Sequence, residues 1–81
     1  MPGKKLYVGN LYCMANKDHL RKLFSHYGRV NAITMIEGTG YGYVEMNTVK
    51  EAVDAKKSLD GADFLERVIR VRYADEPQYV V

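Results

Sequence analysis

Three tyrosines are spaced so that extended backbone would turn them the same way. Tyr41 and Tyr43 lie two apart, and Tyr7 sits in an alternating run two residues after Lys5. Arg70 and Arg72 repeat that spacing near the other end of the chain. Flat rings on rigid backbone offer stacking surface to other flat π-systems and have little entropy to lose, while neighbouring cations neutralise negative charge. This is binding chemistry. Catalysis would need further groups that the chain lacks: Cys13 is the single cysteine and has no assignable partner, and His19 and His26 lie seven apart, placed away from the strands and facing solvent. No catalytic residue, metal site or cofactor is expected.

The rings act together only if strands hold them. Lys4 to Gly9 alternates, with Leu6 and Val8 on one side and Lys5 and Tyr7 on the other, which predicts a half-buried strand. Asn16 is placed to cap a helix whose stripe is Leu20, Leu23, Phe24 and Tyr27, ended by Gly28 at positive φ. Arg29 to Ile36 is a strand with Val30, Ile33 and Met35 inward, and the change of phase predicts a bulge near Asn31 and Ala32. Glu37-Gly38-Thr39 is a short connection to a strand from Gly40 to Met46, with Gly42, Val44 and Met46 inward and Tyr41, Tyr43 and Glu45 outward.

Thr48 and Glu51 have the spacing of a capping box, and Val49, Ala52, Ala55 and Leu59 follow as an apolar stripe with Lys56 at its edge. After the Asp60-Gly61 turn, Val68 to Tyr73 is the last strand, with Ile69 and Val71 inward and Val68, Arg70 and Arg72 outward. The order is βαββαβ. It predicts an α+β, ferredoxin-like fold: a four-stranded antiparallel sheet with two helices on one face and the other face open. That open face would carry Tyr7, Tyr41, Tyr43, Thr34, Ile36, Arg70 and Arg72. Stacking rings with nearby cations suit the bases and phosphates of single-stranded nucleic acid.

At these residues the chain resembles the RNA recognition motif family, in its stand-alone, single-domain form. Leu6-Tyr7-Val8-Gly9-Asn10-Leu11 matches the family's strand-one motif, and Thr39-Gly40-Tyr41-Gly42-Tyr43-Val44-Glu45-Met46 is similar to its strand-three motif. The likeness runs from about Lys5 to Ala74. It implies that Tyr7 and Tyr43 stack on successive bases, that Tyr41 inserts between their sugars, and that Gly40 and Gly42 keep strand three slim against the helices. The implied RNA-binding set is Tyr7, Tyr41, Tyr43, Lys5, Thr34, Ile36, Thr39, Glu45, Arg70 and Arg72. Thr39 stands where the family has Lys or Arg, Met46 where it has an inward aromatic, and Glu66 where a turn glycine is common. The loop between strands two and three is also shorter than usual.

The bulk composition agrees with one small domain. The chain has 81 residues, 47% hydrophobic and 27% charged, with a net charge of +2, which permits a nucleic-acid partner without demanding one. The expected organisation is a domain over residues 4–75 and a short tail over 76–81. No run approaches the roughly 18 apolar residues of a membrane span, and Met1-Pro2-Gly3-Lys4-Lys5 has no apolar signal segment, so a cytoplasmic monomer is expected. The expected ligand is single-stranded RNA, with single-stranded DNA able to substitute in vitro because stacking tolerates both. A protein partner on the sheet or the helical face is the alternative. Lone Cys13 argues against a metal chaperone of the same chain order, and Tyr12 to Asn16 has neither the glycine nor the arginine of a phosphate-cradling hydrolase loop.

Overall fold

Alternation from Lys5 onward produces β1 (Lys5–Gly9), in which Leu6 and Val8 are wholly buried and Lys5 is exposed. The structure, a computed structural model, describes residues 3–35 and 38–74. The expected site residue Ile36, and the tail over 76–81, lie outside the described residues. After β1 come α1 (Lys17–Phe24), β2 (Val30–Met35), β3 (Gly42–Met46), α2 (Val49–Leu59), the two-stranded hairpin of β4 (Asp63–Phe64) and β5 (Arg67–Val68), and β6 (Arg70–Tyr73).

The main sheet is antiparallel throughout in the order β2-β3-β1-β6. Leu6, Val8, Val44 and Val71 from the sheet share one buried cluster with Leu20, Phe24, Ala52 and Leu59 from the helices, so both helices cover the same face. This is the expected ferredoxin-like α+β arrangement. Ala52 and Ala55 are small and fully buried, which lets α2 approach the strands closely. Met46 fills the inward end of β3 and is also fully buried.

Both helices open on capping boxes. Thr48 Oγ1 accepts the Glu51 N–H at 3.1 Å, and the Glu51 carboxylate accepts the Thr48 N–H at 3.0 Å. At Asn16 the partner is His19: Asn16 Oδ1 accepts the His19 N–H at 3.1 Å and His19 Nδ1 accepts the Asn16 N–H at 3.0 Å. His19 therefore does not simply face solvent. It is half-buried, with its ring edge-on to Phe64 at 6.5 Å.

Several boundaries differ from expectation for local reasons. Helix α1 ends at Phe24: the Ser25 N–H makes the last helical bond, to Arg21 O, and a tight turn (Tyr27 N–H to Phe24 O, 3.0 Å) then carries Tyr27 against the core from outside the helix. Strand β3 begins at Gly42 rather than Gly40, since Gly40 has φ +78° and its carbonyl is taken by the Leu11 N–H at 2.8 Å. Tyr41 thus lies just ahead of the strand. Val49 is exposed, leaving the buried stripe of α2 to Ala52, Ala55 and Leu59. The expected last strand is cut in two at Ile69, where bonds to Ala62 and Gly61 continue the small hairpin before β6 joins β1. The bulge at Asn31 is present, between Val30 and Ala32.

Neither Gly40 nor Gly42 is pressed by a helix. A side chain at Gly42 would crowd Thr34 O and Met35 of the neighbouring β2, and one at Gly40 would approach Leu11 O. Gly28 is more constrained. The Glu51 carboxylate, which also accepts the Arg29 N–H at 3.2 Å, lies where a Gly28 side chain would be, and Gly28 has φ +155°. Gly28→Ala should therefore cost about 1–3 kcal/mol, read as a lowered urea midpoint. An unchanged midpoint would show that Glu51 does not occupy this niche.

Candidate functional site

The strand register sets the open face in rows. Through the middle of β1, Thr34, Tyr43, Tyr7 and Arg72 align across all four strands. The next row toward the start of β1 holds Ala32, Glu45 and Lys5; toward its end, Gly9 stands opposite Arg70. Because Leu6, Val8, Val44 and Val71 point into the core, the residues between them must point away from it.

The rings form a cluster centred on Tyr7. Its centroid lies 5.7 Å from that of Tyr43 at an interplanar angle of 63°, and 6.1 Å from that of Tyr41 at 32°. Lys5 Nζ is 5.2 Å from the Tyr43 centroid, close enough for the ring to attract the cation. Tyr41 is exposed, whereas Tyr7 and Tyr43 are half-buried because they shelter one another. Such contacts fix ring positions before any ligand arrives.

The fold brings together Lys5, Tyr7, Thr34, Tyr43, Glu45 and Arg72, joins Tyr41 to them through its ring, and leaves Arg70 one row away. Thr39 lies in the loop before β3, exposed, and its hydroxyl donates to Tyr41 O at 3.4 Å. Among the described residues the only ion pair is Lys50–Asp54 on α2, and none involves Lys5, Arg70 or Arg72. No three His, Cys, Asp or Glu residues among those described converge as metal ligands, and no described helix is long and apolar enough to cross a membrane.

Gly9 belongs to the site although it has no side chain to contribute. It lies on the open face yet is buried, because the Tyr7 ring covers it: a Cβ there would sit 2.6 Å from Tyr7 Oη and 2.9 Å from Cε1. It stands two residues after Tyr7, on the same side of the strand, where the ring needs a bare floor.

The RNA recognition motif family matches residues 6–70. RbpE of Nostoc sp., named for RNA binding, is 36% identical over 75 residues, which cover 85% of this chain and 76% of that protein. RbpA of the same organism is 33% identical over 75 residues, 74% of its length, whereas longer relatives are matched over 8% to 35% of theirs. Among solved structures, the C. elegans NONO-1 homodimer superposes with a TM-score of 0.81 at 32% identity, over 88% of this chain and 28% of that one. The RNA15 RNA recognition motif superposes with a TM-score of 0.86 at 20% identity, covering 91% and 92% of the two chains, a likeness of fold.

Proposed function

This chain belongs to the RNA recognition motif family, and from that premise we propose that it binds single-stranded RNA, with successive bases stacked on Tyr7 and Tyr43. The observation that carries this is the row Thr34, Tyr43, Tyr7 and Arg72: two rings held in mid-sheet by backbone pairing, with a cation on the next strand. A stacked base contributes about 1–3 kcal/mol, and the ring can serve any base because every base has a π-face. Lys5, Arg70 and Arg72 supply positive charge for the phosphates. Tyr41, tilted beside Tyr7, would enter between the sugars. Glu45, which can only accept hydrogen bonds when ionised, would favour a base that presents an amino group.

The module is taken to be non-catalytic, monomeric and cytoplasmic. Single-stranded DNA would engage the same rings in vitro, since only contacts to the 2′-hydroxyl separate the two polymers. The other reading is a protein-interaction module on this fold, whose partner would cover the sheet or the helical face.

Gly9 provides a test that spares the rings themselves. Gly9→Ala pushes the Tyr7 ring off its floor, and the ring's free end can move at little cost to the fold. Affinity for a short labelled oligoribonucleotide should fall by about 1 kcal/mol, with the melting temperature nearly unchanged. Parental affinity in this variant, measured by fluorescence anisotropy, would mean that RNA does not depend on where Tyr7 lies.

A further inference from the structure

Asn10, just after β1, has a left-handed backbone (φ +57°) that turns the chain off the sheet. Its Nδ2 donates to Val68 O at 2.6 Å, its Oδ1 accepts from Arg67 Nη2 at 2.7 Å, and its carbonyl accepts from Arg67 Nε at 3.2 Å. The β4–β5 hairpin is thereby clamped to the end of β1, and the Arg67 guanidinium is held in one orientation. Beside it lies an open groove of about 520 Å³ lined by Tyr12, Leu65, Glu66 and Arg67. Tyr12 stands on a fixed turn, with the Ala15 N–H donating to its carbonyl at 2.9 Å. The adjoining Leu11 is bonded to Gly40, the neighbour of Tyr41. Asn10, which holds Arg67, directly follows Gly9 of the tyrosine face, so the groove lies beside the end of that face.

Two observations mark it as more than a turn. Leu65 and Glu66, the two central residues of the hairpin, both have positive φ, +51° and +66°, where Asn-Gly would sit without strain. Strain kept at an exposed turn points to use of the side chains it holds. Tyr12, Leu65 and Val68 also expose 44%, 37% and 46% of their surface, leaving apolar area bare beside an immobilised cation.

We infer that this groove is a further nucleotide site, one step beyond the sheet on the same strand of RNA. The base stacks on Tyr12 against Leu65, and Arg67 pairs with the phosphate through Nη1, which is not engaged by Asn10. A ring beside a fixed guanidinium fits a base joined to a phosphate; an apolar peptide would leave the cation unpaired. The site rests on the sheet being the RNA face.

Two labelled oligouridylates test it on the intact chain, one of about three nucleotides, enough for the sheet, and one of about six. Tyr12→Ala and Leu65→Gly should each weaken the longer RNA by about 5- to 150-fold and leave the shorter unchanged. Leu65→Gly is the sharper variant: it relieves the positive φ, so melting temperature should hold or rise while affinity for the longer RNA falls. A merely structural turn would show the gain in stability alone. Arg67→Gln should reduce the salt slope for the longer RNA by about 0.7. Parental binding of the longer RNA by both Tyr12→Ala and Leu65→Gly would overturn the groove site and leave the sheet untouched. It would be overturned equally if those variants kept RNA binding but broke self-association in sedimentation equilibrium, since the groove would then belong to a second copy. The sheet itself is read separately: if Tyr7→Ala bound the shorter RNA as the parent does, both sites would fall.

Discussion

Tyr7→Ala and Tyr43→Ala should each weaken binding of short single-stranded RNA by about 1–3 kcal/mol while the fold survives. Both rings stand on the open face, across the sheet from the core that Leu6, Val8 and Val44 build, so their removal leaves no cavity in that core. They are nonetheless in contact, at 5.7 Å between centroids. Removing one frees its neighbour to move, and the double variant should lose something other than the sum of the single losses. Titration calorimetry gives the affinities and circular dichroism the folded state. Two folded variants with parental affinity would move the RNA off the sheet and favour the protein-interaction alternative.

Phe24→Ala should lower stability by about 3–5 kcal/mol, the largest effect expected of any single change in this chain. Phe24 is fully buried where α1 meets the sheet, and truncation would leave a void that neighbours such as Leu20 and Met46, also fully buried, fill only partly. Against the 5–15 kcal/mol of a typical domain, about that much is a large share of the total. At roughly 4–8 °C per kcal/mol for a domain of this size, the melting temperature should fall by more than about 12 °C. Leu23→Ala should cost less, because Leu23 is only half-buried at the edge of the same cluster. Near-parental melting of Phe24→Ala would show that the buried stripe of α1 had been placed on the wrong side.

Much of the fold was legible because the local signals agree with the global one. The Leu6/Val8 alternation, the Thr48–Glu51 box and the phase break at Asn31 each have one physical solution, and each is found in the structure. Other features depended on partners distant in sequence. Nothing local announces that Ile69 bonds back to Ala62 and splits the final strand, or that Asn10 catches Arg67 from 57 residues away. The cap at His19 is not legible in the sequence, because Glu or Gln is the usual partner in that motif. Val49 has the spacing of the buried stripe but is exposed, because the first turn of α2 extends past the edge of the core. At the site, the side-chain types of Tyr7, Tyr43 and Lys5 were informative, whereas Gly9 acts by lacking a side chain and is recognised only once the ring above it is seen.

The most direct measurement is a titration of the ¹⁵N-labelled chain with a short single-stranded RNA, followed amide by amide. Shifts should concentrate at Lys5, Tyr7, Gly9, Thr34, Tyr43 and Arg72, which share one face, and should be small along the outer side of α1 and α2. Saturating shifts confined to the helices, with the sheet amides unmoved, would contradict the placement of RNA on the tyrosine face.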